Sequence, residues 1–238
     1  MQAETRSYRY LDLIMVLFVT VLITSNIASS AKIVDWGTDI LGLRLSFDAG
    51  TLLFPISYIF GDVLTEVYGY KRSRRVIWAG FAALAFSSAF LALVRIMPGE
   101  ANWQGYAGQA AFDAILGGMS TGGLVLASLA AYFMGEFSNS VVLARLKVIT
   151  SGSKLWLRTI TSTLVGEGID SVVFILIATL FGVFPWEIFL SLVVANYIFK
   201  VTIEVVMTPL TYQIVNFLKR TENEDVYDRN TNFNPFTV

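Results

Sequence analysis

Apolar residues run along this chain in long blocks rather than alternating with polar ones. Positions 13–31 carry no charge, positions 49–61 are apolar and continue past Asp62 to Tyr68, positions 76–94 and 116–135 are again free of charge, and positions 157–180 and 188–218 each hold charges inside. Each block can supply the ~20 residues with which a helix crosses ~30 Å of hydrocarbon. A helix also satisfies its own backbone groups in lipid, and the strict period-two alternation of a transmembrane barrel is missing. The pattern predicts an all-α membrane protein with six transmembrane helices in one domain over 1–220, followed by a short polar tail, 221–238. The longest connection falls at 97–115. Arg6 and Arg9 ahead of the first block, with Ser29-Ser30-Ala31 behind it, also resemble a secretory signal and its cleavage site. Against that reading, the first block is long enough to span, and Asn26 inside it suits a helix with one polar face.

Composition supports lipid as the main solvent. The chain has 238 residues, 55% hydrophobic and only 15% charged, against about 25% charged in an ordinary soluble domain. Its mean hydropathy is +0.64. The formal net charge is -1, so no basic field for nucleic acid exists. There is no cysteine and no histidine, which excludes disulfides, thiolate nucleophiles, the commonest zinc ligands and the usual proton shuttle. No cofactor or metal is implied. With the N-terminus cytoplasmic, Lys32, Arg44 and Arg95 fall outside and Lys200 within a span, while every other lysine and arginine falls at the inner side. Both termini are therefore expected in the cytoplasm.

Charges at membrane depth cost about 2.5–3.5 kcal/mol each on insertion scales, so they face a cavity or a partner. The second block holds Asp62 and Glu66, the fourth ends near Glu136 and Asn139, the fifth holds Glu167 and Asp170, and the sixth carries Asn196, Lys200 and Glu204 at four-residue spacing on one stripe. Local partners exist for some of these. Glu66 could pair with Lys71 or Arg72, Glu136 with Arg145 or another helix, and Lys200 with Glu204. Asp62, Asp170 and Asn196 have no partner at helical spacing and are the strongest candidates for function. Lys200 sits too deep to snorkel, and Asp170 is the partner favoured for it. Asp48 reads as an N-cap of the second helix. Trp103, Gln104, Tyr106 and Gln109 lie together in the outer connection, as either a lid or an interfacial helix. Gly117-Gly118, Gly122-Gly123, Gly135, Gly166 and Gly168 permit close helix contact or unwinding, and Pro55 and Pro209 are expected to kink their helices.

One stretch, Phe54-Pro55-Ile56-Ser57-Tyr58-Ile59-Phe60-Gly61-Asp62-Val63-Leu64-Thr65-Glu66-Val67-Tyr68-Gly69, resembles the signature of the queuosine precursor transporter family, also called vitamin-uptake-transporter-like. Three further blocks agree with it: Gly166-Glu167-Gly168-Ile169-Asp170-Ser171; Asn196-Tyr197-Ile198-Phe199-Lys200-Val201 running on to Glu204 and Thr208-Pro209-Leu210-Thr211-Tyr212; and the tail Asp225-Val226-Tyr227-Asp228 with Asn232-Phe233-Asn234-Pro235-Phe236. The resemblance implies a fold like the substrate-binding subunits of energy-coupling-factor transporters. It implies uptake of 7-deazaguanines (7-cyano-7-deazaguanine, 7-aminomethyl-7-deazaguanine or queuine) across a bacterial inner membrane, without an ATP-driven module. Such a ligand suits the polar inventory. A carboxylate, Asp170 or Glu167, would accept from the ring N–H and exocyclic amine. Asn196, Gln109 or Lys200 would donate to the carbonyl, and Trp103, Tyr197 or Phe199 would stack on the rings. Asp62 or Glu204 would suit a cationic aminomethyl group, and Asn26 lines the same region.

Two other function classes compete. An intramembrane enzyme would have to run on paired carboxylates, since no Gly-x-Ser-x-Gly elbow or metal cluster is present. A binding subunit that borrows a separate ATPase is the other; Gly152-Ser153-Lys154 lacks the glycine spacing of a P-loop. Ala28 and Ala31 do not form the alanine-x-x-x-alanine face by which coupling-factor subunits usually dock, which favours an autonomous carrier. The sequence leaves oligomeric state open, a homodimer included.

Overall fold

The structure is a computed structural model and describes residues 7–40 and 43–237. Helix α1 (Leu11–Ala31) leads into an antiparallel hairpin of β1 (Ile33–Ile40) and β2 (Leu43–Asp48), paired from Ile33 opposite Asp48 to Ile40 opposite Leu43. A short 3-10 turn (Ala49–Leu52) precedes α2 (Phe54–Val63), which ends in a π-turn, Leu64–Tyr68. Then follow α3 (Tyr70–Ile96), the short α4 (Ala101–Tyr106), α5 (Gly108–Ser120), α6 (Gly122–Ile149), α7 (Leu155–Leu180) and α8 (Phe189–Glu222).

Among the described residues five stretches are long and apolar enough to cross a membrane: Leu11–Ala31, Tyr70–Ile96, Gly108–Ile149, Leu155–Leu180 and Leu192–Glu222. No sixth helix of that length and apolarity is found among the described residues. Ten residues of α2 and five of its π-turn reach about 22 Å at ~1.5 Å per residue, short of ~30 Å of hydrocarbon. Pro55 stands in the first turn of α2, where its missing N–H costs nothing, so it starts the helix rather than kinking it. Gly69, at φ 81, ends it. The short segment nonetheless runs most of the length of α1. At its start a Cβ on Gly50 would lie 2.2 Å from the Ser25 carbonyl oxygen. At its end the Tyr68 hydroxyl donates to the Glu222 carboxylate, which also takes the Tyr10 N–H. Every residue from 61 to 70 is buried, so the weaker π-type backbone lies inside protein rather than in lipid.

Three local expectations are corrected as well. The hairpin departs from an all-helical chain, and its reason is period-two alternation: Leu43, Leu45 and Phe47 interleave with Arg44, Ser46 and Asp48. Asp48 closes β2, and the N-cap position of α2 is Leu53, with no side-chain cap bond. The fourth block divides at Thr121, whose ψ of 130 separates α5 from α6 between two glycine pairs. By contrast α8 runs through Pro209 as one helix.

The core gathers Phe18 and Leu22 of α1, Val63, Leu64 and Val67 of the second segment, and Tyr70, Val76, Ile77 and Leu84 of α3. Large apolar side chains such as Phe86, Phe90, Leu190 and Val206 point outward, each more than half exposed. In water that surface would be costly; in lipid it is the expected exterior.

Candidate functional site

The polar side chains inside the bundle meet because α6 and α7 come very close. A Cβ on Gly166 would fall 2.8 Å from the Asn139 Cβ, and one on Gly135 would fall 2.9 Å from the Asp170 Cβ. Only glycine at both places lets the two backbones approach so nearly. That approach presents Glu167 and Asp170, three residues apart on one face of α7, to Lys200 of α8. The Lys200 ammonium pairs with Glu167 Oε2 at 2.9 Å and with Asp170 Oδ2. Lys200 is about 16 Å along α8 from Phe189 at ~1.5 Å per residue, too deep to reach water by extending its stem. The pair with Asp170 is the one expected, and Glu167 joins it.

This triad borders a cavity of about 470 Å³. Asn26, Asn196, Glu136, Tyr132, Phe174 and Phe184 also line it. Each asparagine spends one amide hydrogen on its own helix: Asn26 Nδ2 donates to the Leu22 carbonyl at 2.8 Å and Asn196 Nδ2 to the Leu192 carbonyl at 3.0 Å. The other amide hydrogen and the carbonyl oxygen of each have no hydrogen-bond partner among the described residues. The Tyr132 hydroxyl is committed to the Ile77 carbonyl at 3.0 Å. Ser30 ties α5 to α1 at the rim, donating to the Ile115 carbonyl and accepting from the Gly118 N–H.

Beside the cavity lies a second polar group. Asp62 and Glu204 are both fully buried, and each lies within electrostatic reach of the other. Asn139 Nδ2 donates to Asp62 Oδ1 at 3.1 Å. Further toward the tail lies a third, made of opposite charges in balance. Glu66 takes a two-pronged bond from Arg158, at 2.7 and 2.8 Å, and one from Lys219 at 2.5 Å. Lys147 donates to the Glu66 carbonyl, to Asp225 and to the Val226 carbonyl. Glu66 thus pairs across helices rather than with Lys71 or Arg72. Burial works against the Asp225 carboxylate, yet the bonds from Lys147 and Lys219 outweigh it and hold its pKa below the usual carboxylate range. The tail then lies along α3: Asp228 accepts the Tyr70 N–H, Arg74 donates to the Asn232 and Asn234 carbonyls, and Trp78 donates to the Pro235 carbonyl.

Of the side chains singled out from sequence, the structure brings Asn26, Glu167, Asp170, Asn196 and Lys200 around one cavity. Asp62 and Glu204 sit against its charged end without lining it. Trp103 and Gln109 lie elsewhere: Trp103 belongs to the solvent-facing α4, and Gln109 donates to Asp113, which pairs with Arg95. Phe174 and Phe184 line the cavity without any signal in the sequence, because nothing distinguishes them from other aromatics in apolar blocks. Glu136, for which the sequence offered Arg145 or another helix as a partner, is part of the cavity wall.

Comparison with known proteins bears on the family rather than on this geometry. A Bacillus subtilis protein named "Probable queuosine precursor transporter" is 26% identical over 172 residues, covering 71% of this chain and 71% of the relative. A Haemophilus influenzae protein of the same name is 26% identical over 169 residues, 70% of this chain and 67% of the relative. No solved structure matches the chain. Neither finding supports a binding subunit that depends on a separate ATPase. Residues 48–214 match the family described as "Putative vitamin uptake transporter", and that stretch contains the short buried segment, the triad and the cavity walls of α6 and α7. The chain belongs to that family, as a multi-pass membrane transporter and not an enzyme.

Proposed function

We propose that this protein carries 7-deazaguanine precursors of queuosine across the bacterial inner membrane, and that the cavity beside Lys200, Glu167 and Asp170 is where they bind. The observation that carries this reading is the cavity itself. Its volume of about 470 Å³ lies within the ~300–1,000 Å³ of small-ligand sites, and its polar groups converge from α1, α7 and α8. A guanine-like edge presents a ring N–H and an amine side by side. The Asp170 carboxylate, a quarter exposed to the cavity, accepts both. Asn196 and Asn26 serve the carbonyl and ring nitrogens, and Phe174 or Phe184 covers a ring face. Six crossings complete the arrangement, the second made by the short buried segment, as in the substrate-binding subunits that the resemblance names. Both termini then face the cytoplasm, in keeping with the lysine and arginine bias.

The test is uptake. Expressed alone in a bacterial host lacking both its own carrier and queuosine synthesis, the protein restores queuosine in tRNA from low external precursor. No restoration with any of the three compounds refutes the substrate. Restoration that requires an added ATPase refutes autonomy. Single introduced cysteines near Arg72 stay hidden from an impermeant thiol reagent in intact cells while those near Asp39 react; the reverse pattern refutes the orientation.

A further inference from the structure

The buried charges around the cavity do not balance. Lys200 is shared by Glu167 and Asp170, which already leaves one negative charge in excess. Asp62, Glu204 and Glu136 add three more carboxyls with no cation paired to them among the described residues. Asp62 and Glu204 are both 0% exposed. Asp62 Oδ2, both oxygens of Glu204, Asn139 Oδ1 and Glu136 Oε2 find no donor there. Two ionised carboxylates buried close together repel each other, and the low dielectric around them screens that repulsion little. One proton removes that repulsion and supplies the missing bond, since O–H on either carboxyl donates to the other.

The surroundings leave these two carboxyls to themselves. On the π-turn, Glu66 is held by Arg158, Lys147 and Lys219. On α7, Glu167 and Asp170 are held by Lys200, which stands one turn from Glu204 on α8. On α6, Asn139 bonds Asp62, Glu136 belongs to the cavity wall, and Tyr132 gives its hydroxyl to the Ile77 carbonyl. The only acid of α1, Asp12, is exposed. Among the described residues no group of three or more acidic side chains has the geometry to hold a metal ion. Glu136 supplies the route. It lines the cavity, and its Oε2 would lie 3.2 Å from a Cβ on Gly61, the neighbour of Asp62.

We propose that Asp62 and Glu204 share a transportable proton, loaded from the cavity through Glu136, and that its inward movement with the substrate drives uptake. The protein is on this reading a proton symporter, and the proposal rests on the carrier function above. A proton taken up by the pair on one side is released from it on the other, with no other change at either carboxyl.

Purified protein in vesicles made of neutral lipid decides the matter, with labelled 7-cyano-7-deazaguanine as probe. Wild type accumulates the probe above its external concentration when the lumen is alkaline and sodium is absent. Glu204→Gln and Asp62→Asn lose that accumulation but still exchange labelled for unlabelled probe without a gradient. Accumulation driven by a sodium gradient at equal pH, or pH-driven accumulation retained in both variants, overturns the proposal. A second readout needs no substrate. Infrared difference spectra of wild type at neutral pH contain a protonated-carboxyl carbonyl band that Glu204→Gln removes, and wild type without that band also overturns the proposal. If the probe is not even exchanged by wild type, the substrate assignment fails while the infrared result still decides the shared proton.

Discussion

Removing Lys200 should damage the protein far more than removing either of its partners, and the asymmetry follows from the geometry. The Lys200 ammonium lies 2.9 Å from Glu167; at that separation and an effective dielectric of ~20 the attraction is about 6 kcal/mol before desolvation is counted. Lys200→Met loses this attraction and the one to Asp170, and it strands two carboxylates in the bundle. Stranding a buried charge costs ~3–5 kcal/mol, or roughly two to four orders of magnitude in the folding equilibrium. Asp170→Asn leaves Lys200 paired with Glu167, and the asparagine oxygen can still accept from the ammonium. Its cost is about 1 kcal/mol, the ordinary worth of a hydrogen bond.

The order of stability is then wild type, Asp170→Asn, the double variant Lys200→Met with Asp170→Asn, and last Lys200→Met alone. Adding Glu167→Gln to the double variant leaves no charge in the triad and restores folded protein. It does not restore uptake, because the groups proposed to read the ligand are gone. Detergent unfolding curves give the order, and precursor uptake gives the function. The reasoning is refuted if Lys200→Met unfolds no more readily than Asp170→Asn, or if the neutral triple variant is as unstable as Lys200→Met.

Two further predictions concern packing and the tail. Gly166→Val places new carbons where a Cβ is already 2.8 Å from the Asn139 Cβ and 3.0 Å from the Gly135 carbonyl oxygen, so α6 and α7 must part at a cost of ~1–3 kcal/mol; Gly168→Val, with 3.5 Å to the Tyr197 ring, stays near wild type, and equal unfolding midpoints for the two would contradict this. Asp225 is held below the usual carboxylate pKa by Lys147 and Lys219, so its contribution to tail docking is complete above the unfolded value of ~3.9 and is lost only as pH falls through the lower folded value. A cysteine introduced at Thr231 therefore keeps the same accessibility to a thiol reagent from pH 8 to 5 and becomes more accessible below about pH 4, whereas release between pH 5 and 7 would exclude Asp225 as the anchor.

How far the sequence reveals these features depends on the range over which each signal acts. Hydropathy acts locally, so it locates every apolar block, but it cannot separate a long helix from 15 helical residues preceded by a turn. The alternation in Leu43, Leu45 and Phe47 announces the hairpin only when period two is sought inside a chain dominated by helical blocks. Charged and amide side chains in apolar blocks are conspicuous for the same local reason, which is why Glu167, Asp170, Asn196 and Lys200 stand out from the sequence alone. Their partners are another matter. Helical spacing sees only neighbours three or four residues away, and Glu66 finds Arg158, Lys147 and Lys219 at separations of 92, 81 and 153 residues. Trp103 and Gln109 have the chemistry of ligand groups, but α4 holds Trp103 away from the cavity and Gln109 is spent on Asp113.

The two charged layers of the bundle share helices yet differ in balance, and the difference assigns their roles. Asp62 and Glu66 are one turn apart on the second segment. Around Glu66 three cations face it and Asp225, and the carboxylates are saturated with donors. Such a layer has nothing left to offer a solute; it ties α6, α7, α8 and the tail to the end of the short helix. One turn away the balance reverses. Among the described residues one lysine, paired with Glu167 and Asp170, stands in a layer of five carboxyls, and oxygens outnumber donors. A layer rich in acceptors binds what brings hydrogens with it. On the proposed reading a guanine-like edge brings two, and a proton on Asp62 or Glu204 brings one more. If both occupy the layer together, each reduces the repulsion the other meets, so their binding is mutually favourable. Coupling of that kind is reciprocal: lowering pH tightens precursor binding, and bound precursor draws a proton onto the pair. Exchanging Glu204 for glutamine abolishes both effects at once, whereas exchanging Glu66 abolishes neither and only loosens the fold.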